Sequence, residues 1–213
     1  MPHRQVIRDI RAGSLKPLYL LHGEEPYFID EIATALENHV VEVSMRDFNQ
    51  TIVYGRDTNI DQVLEAARRF PMMAERQLVL MREAQDWPAW RRKDDMTKLE
   101  AYADSPVVST VLVFCFKNKK ADRRLKAVKA ISKAGMLFLS EKVRDYKLPE
   151  WISNYVRDTG LSISPQAAQI LAEYLGNDLR KVVNELTKLS IVLPKGTAIE
   201  PEQIEKHIGI SKD

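Results

Sequence analysis

Residues 18–36 read LYLLHGEEPYFIDEIATAL: a short apolar strand, one glycine, then an amphipathic helix with Phe28, Ile29, Ile32, Ala33 and Leu36 at three-and-four spacing. This is the layout of a phosphate-binding loop. A working loop of that kind needs several glycines so that backbone N–H groups can crowd round the phosphates, a Lys for the β/γ oxygens, and a Ser or Thr for magnesium. Only Gly23 remains here, followed by Glu24, Glu25, Pro26, Tyr27 and Phe28. Two adjacent carboxylates repel a triphosphate, and the proline removes one amide donor. The layout suggests an ATPase and the residues deny the chemistry.

Further strands are predicted at Asn49–Tyr54, Gln77–Met81, Thr110–Phe116 and Met136–Leu139. Thr110–Phe116 is the most apolar and is expected near the middle of a covered parallel sheet. Between the strands the spacing predicts helices around Val6–Ile10, from Pro26, from Ile60 to about Arg69 behind an Asn59 cap, over Trp90–Ala103 and over Ala121–Ala134. Five strands alternating with helices make an α/β sandwich. After Lys147 the strands stop, and helices are predicted at Leu148–Asp158, Pro165–Leu175, Asp178–Ile191 and Pro201–His207, with Ser164 and Asn177 as caps. Two domains are therefore expected, an α/β domain over 1–143 and a helical one over 144–213.

A net charge of +2 lacks the concentrated basic excess of a dedicated nucleic-acid binder. No apolar run approaches the roughly 20 residues that cross a bilayer, so no membrane partner is expected. The first residues, MPHRQVIRDIRAG, are amphipathic and unlike a secretion signal. Cys115, the single cysteine, can form no internal disulfide and reads as packing in a cytoplasmic protein. His3, His22, His39 and His207 are scattered without metal-ligand spacing, and no nucleophile with its base is apparent. Neither catalytic residues nor a metal nor a cofactor are expected.

Three segments in order, LYLLHGEEPYFIDE, RRFPMMAERQLVLMREA and GNDLRKVVNELTKL (176–189), resemble the delta subunit of the bacterial DNA polymerase III clamp loader, within the AAA+ superfamily. The resemblance implies an AAA+/RecA-like parallel sheet sandwiched by helices, followed by a small all-helical lid. It also implies a protein that binds and opens the ring-shaped sliding clamp, alongside ATPase subunits and delta prime, without hydrolysing ATP itself. Consistent with this, the strand ending at Phe116 continues Lys117-Asn118-Lys119-Lys120, with no acidic residue for magnesium. Arg180 stands where related ATPases carry a nucleotide-sensing arginine, and with the loop degraded a salt bridge or a capping role is expected of it. Family members continue into a collar domain that this sequence lacks, so a truncated chain is expected.

Aligned through Ala74–Gln77, the family's clamp-contacting tip becomes Phe70, Met72 and Met73, with Pro71 where a non-proline residue is more usual. An aromatic and two methionines after Arg68 and Arg69, in a loop that would ordinarily be polar, already mark the segment. The competing reading folds Phe70 and Met73 back onto the sheet as core. A second functional reading is nucleic-acid binding, with Lys119, Lys120, Arg123 and Arg124 facing DNA within a basic series that runs through Lys117, Lys126, Lys129 and Lys133 along a helix face.

Overall fold

α1 (Pro2–Arg11) turns His3, Val6 and Ile10 inward and leads into β1 (Leu18–Gly23), every residue of which is buried. The computed structural model describes residues 2–194 and 196–209. α2 (Pro26–His39) starts at a proline, where the missing N–H has no helical partner to lose, and Glu25 caps it by accepting from Tyr27 N. A 3₁₀ turn and the single-turn α3 (Arg46–Asn49) precede β2 (Gln50–Tyr54). α4 (Ile60–Arg68) carries a reciprocal capping box between Asn59 and Gln62. It is followed by β3 (Gln77–Arg82), α5 (Lys93–Asp104), β4 (Thr110–Lys117), α6 (Lys126–Ala134) and β5 (Met136–Ser140).

All pairings in the five-stranded sheet are parallel, in the order β2-β3-β4-β1-β5. β4 is the central strand, which accounts for its unbroken apolar run, since both of its faces are covered. One register row runs through Val53, Met81, Phe114, Leu20 and Leu137. These residues belong to the core formed with α4, α5, α6, Trp87 and Trp90. Both tryptophans satisfy their indole N–H groups on backbone oxygens, Trp87 on Thr58 O at 3.1 Å and Trp90 on Ala84 O at 2.6 Å. α2 packs against the sheet with Ile29, Ile32 and Leu36 fully buried, and α1 lies on α2.

The chain divides into two compact units, Met1–Lys142 and Val143–Asp213. The second contains α7 (Leu148–Asp158), β6 (Ser162–Ile163), α8 (Pro165–Leu175), α9 (Leu179–Val192), β7 (Ala198–Ile199) and α10 (Pro201–Ile208). It is not strand-free, because β6 and β7 form a short parallel pair. Ser164 caps α8 as expected, whereas α9 is capped by Asp178, whose side chain accepts from Lys181 N, and not by Asn177. Asn177 instead donates to Asp145 Oδ1 at 2.7 Å.

Two helix starts also differ from the sequence reading. α5 begins at Lys93, because Pro88–Arg91 forms a 3₁₀ turn that seats Trp90 in the core. α6 begins at Lys126, because Asp122 accepts from Arg124 N and Ala121 N donates to His22 Nδ1, which holds 121–125 in a turn. Lys119, Lys120, Arg123 and Arg124 therefore lie on the β4–α6 loop, and only Lys126, Lys129 and Lys133 are on the helix.

Candidate functional site

α4 stops at Arg68, and residues 69–76 form a loop leading into β3. Phe70, Met72 and Met73 are 83%, 59% and 90% exposed, so the core reading of this segment does not hold. Three large apolar side chains left in water within four residues are unusual enough to point to a partner. Met73 has φ +53°, a left-handed conformation that costs a side-chain-bearing residue on the order of 1 kcal/mol and tends to occur where function requires it. Beside the loop lies a cavity of about 460 Å³, bordered by Leu15, Val40, Met45, Met73 and Arg76.

Buried polar side chains hold the loop's backbone. Gln77 Nε2 reaches Ala66 O at 3.1 Å, Arg69 O and Thr110 Oγ1 at 2.8 Å, while Thr110 Oγ1 donates to Ala67 O at 2.8 Å. Together they satisfy carbonyls at the end of α4 that no further turn could satisfy. Gln77 is thereby a structural anchor for the tip, a role the Ala-x-Arg-Gln segment did not disclose. Asn49, also missed in sequence, grips Met72 from α3. Its Oδ1 accepts from Met72 N at 2.6 Å and its Nδ2 donates to Met72 O at 2.9 Å. The only signal for either residue was a polar side chain at the mouth of an apolar strand.

The would-be phosphate loop is occupied by its own chain. Gly23 N donates to Lys119 O at 2.9 Å, while Glu24 N and Glu25 N both donate to Ser140 O, at 2.9 and 3.3 Å. Ser140 Oγ returns a bond to Glu25 O at 2.6 Å, and the Glu25 carboxylate takes Tyr27 N at 3.0 Å. The amides that would cradle a phosphate are thus committed, and a carboxylate stands at the helix start where an anion would otherwise be favoured. Lys120 pairs with Glu24 at 3.5 Å, and Lys117 pairs with Asp30. His22 is buried, and burial, aided by Arg123 and Lys120, holds its pKa below the ordinary imidazole value. Its Nδ1 accepts from Ala121 N, so it serves as a structural joint between β1 and the 118–125 loop. Among the described residues no group of three or more His, Cys, Asp or Glu side chains could hold a metal ion.

The basic series is partly neutralised. Arg124 makes a forked pair with Asp122 at 2.9 to 3.3 Å, which pulls the Asp122 carboxyl down to about 2. Lys119 and Arg123 are exposed on the same loop. Arg180 is exposed on the first turn of α9. No helix among the described residues is long and apolar enough to cross a membrane.

The family model described as DNA polymerase III, delta subunit, matches residues 19–140, more than half of the chain and nearly the whole of the sheet. The chain belongs to the DNA polymerase III delta subunit family. A second model, described as a middle domain, matches residues 138–206. The DNA polymerase III subunit delta of Bacillus subtilis (strain 168) is 26% identical over 188 residues, covering 86% of this chain and 54% of that protein. Among solved structures, the Bacillus subtilis DNA clamp loader delta protein superposes with a TM-score of 0.80 at 24% identity, covering 96% of this chain and 61% of that one. A DNA polymerase III gamma subunit-related protein from Thermotoga maritima gives a TM-score of 0.50 at 12% identity, over 88% of this chain and 57% of that one. These structural likenesses establish the fold: a parallel α/β sheet with flanking helices, followed by a helical region, as expected for this delta-family chain. The chain spans only 54% and 61% of the length of its two delta relatives.

Proposed function

We propose that this delta-family chain binds the sliding clamp through Phe70, Met72 and Met73 and biases the ring toward its open form. Its partners in a complete loader are the ATPase subunits and delta prime. The exposed apolar tip on an anchored loop carries the proposal, since such side chains gain most by entering a pocket on another protein. Burying what the three expose would contribute roughly 3 to 7 kcal/mol gross, before the costs of association. A ligand moves a closed–open equilibrium only by its differential affinity, so the tip must fit the open ring better than the closed one. The committed amides around Gly23 support a subunit that neither binds nor hydrolyses ATP, leaving nucleotide control to its neighbours.

The test is calorimetric titration of the purified sliding clamp with the parent chain and with the Phe70→Ala/Met73→Ala double variant. A loss of about 2 to 4 kcal/mol, with an unchanged circular dichroism spectrum, is expected. Equal affinity of parent and variant defeats the assignment. Equilibrium dialysis against ATP should detect no bound nucleotide in either.

A further inference from the structure

Deepening the clamp reading and resting on it, we infer that Asn49 is a positioning residue for the tip, holding the Met72 backbone so that the neighbouring apolar side chains are presented outward before a partner arrives. Asn49 is 2% exposed and belongs to a different element, 23 positions away in sequence. Its amide engages both polar groups of one peptide residue, Met72 N–H and Met72 O, much as a neighbouring strand would, and its second N–H goes to Met45 O at 3.0 Å. The assignment of oxygen and nitrogen is forced, because a flipped amide would set N–H against the Met72 N–H and oxygen against Met45 O and Met72 O. All of the hydrogen-bonding capacity of this amide's nitrogen is thus spent on the tip and on the turn leading into α3.

The Asn49 amide acts on a residue that packing does not hold, since Met72 is itself exposed, Phe70 and Met73 stand in solvent beside it, and Met73 takes the strained left-handed conformation. A loop free to relax would have to be reordered on binding, and that cost would appear directly as lost affinity. With the loop held, the cost is met during folding.

The experiment is a double-mutant cycle on the full chain, with sliding-clamp affinity as readout and hydrogen exchange at the Met72 amide as an independent measure. Asn49→Ala is expected to weaken binding about tenfold in the parent background, to have a markedly smaller effect when Phe70 and Met73 are already Ala and only Met72 of the tip remains, and to accelerate Met72 exchange. Asn49→Ser, which removes the two-point grip on Met72 without setting a carboxylate oxygen against Met72 O and Met45 O, should give a similar loss and keeps the question answerable should the alanine variant fold poorly. Unchanged affinity in the alanine variant, or in the Ser variant if only that one folds, overturns the assignment to Asn49 even where the tip variant itself binds weakly. An equal loss in both backgrounds overturns it as well, by showing a general structural effect. Should the tip variant bind as tightly as the parent, the clamp reading falls first, and this inference with it.

Discussion

Replacing Gly23 by Ala separates a structural glycine from a nucleotide-binding one. A Cβ at this position would sit 2.0 Å from Ser140 O, 2.6 Å from Ser140 C and 2.8 Å from Ser140 N, all of them backbone atoms that no rotamer change can move aside. The residue also has φ +143°, a region that side-chain-bearing residues avoid at a cost of about 1 to 3 kcal/mol. To make room, β5 must move away from β1, which breaks the bonds from Glu24 N and Glu25 N to Ser140 O, worth about 0.5 to 1.5 kcal/mol each. The expected destabilisation is about 4 kcal/mol. With an m-value of about 2 to 3 kcal/mol/M, the urea midpoint should fall by about 1.3 to 2 M. The assay is urea unfolding followed by circular dichroism, run with and without ATP. A midpoint within about 0.3 M of the parent at unchanged m would refute the close-approach argument. A glycine retained for phosphate would behave in the opposite way, leaving stability nearly intact while abolishing a nucleotide effect on the parent.

Two further outcomes can be checked. His3 stacks on Phe28 with ring centroids 4.3 Å apart, and burial, with Arg4 adding, lowers its pKa to about 4 from the ordinary 6.5. The unfolded chain then binds more protons than the folded one between those values, so stability is complete above about pH 6.5 and declines as pH falls toward 4. His3→Phe should flatten that decline in chemical denaturation at pH 4.5 and 6.5, and parallel pH profiles for the two proteins would contradict it. For nucleic acid, the pairs Lys120–Glu24 and Arg124–Asp122 leave chiefly Lys119 and Arg123 of the four candidate residues to reach phosphates. Any binding of single-stranded DNA through this loop, measured by anisotropy, should therefore show a shallow salt dependence, with a log–log slope of about −1.5 or less steep, and a slope of about −3 would restore all four residues as a principal DNA site.

How much was legible in sequence varied with the range of the interactions involved. The strands of the five-stranded sheet could be located from apolar runs or, for β2, from alternation, and β4 announced its central place by its unbroken apolar run, whereas the two-residue β6 and β7 are too short to carry a pattern. Helix starts were readable where a cap lies next to its helix, as with Ser164 and Asn59. They failed where a distant partner intervened: α6 begins late because Ala121 N is taken by His22, 99 positions away. The tip stood out because apolar residues in a loop conflict with local expectation. Its supports did not, because an asparagine or glutamine beside a strand looks the same whether it faces water or grips a loop from another element.

The alternation of sheet strands and helices in the first unit, the loss of phosphate-loop chemistry after Gly23 and the anomalous apolar loop after Arg69 were all determined by the sequence itself, since each follows from residue type and near-neighbour spacing. Whether Phe70, Met72 and Met73 would close over the sheet or stand in solvent was decided only in three dimensions. There Asn49, Gln77 and Thr110, separated along the chain, converge on the loop backbone and hydrogen-bond it in place. The use of Gly23 was likewise settled by β5, whose Ser140 carbonyl occupies the space that a side chain would need. Contacts of that kind depend on chain closure over long separations, which no local pattern of residues encodes.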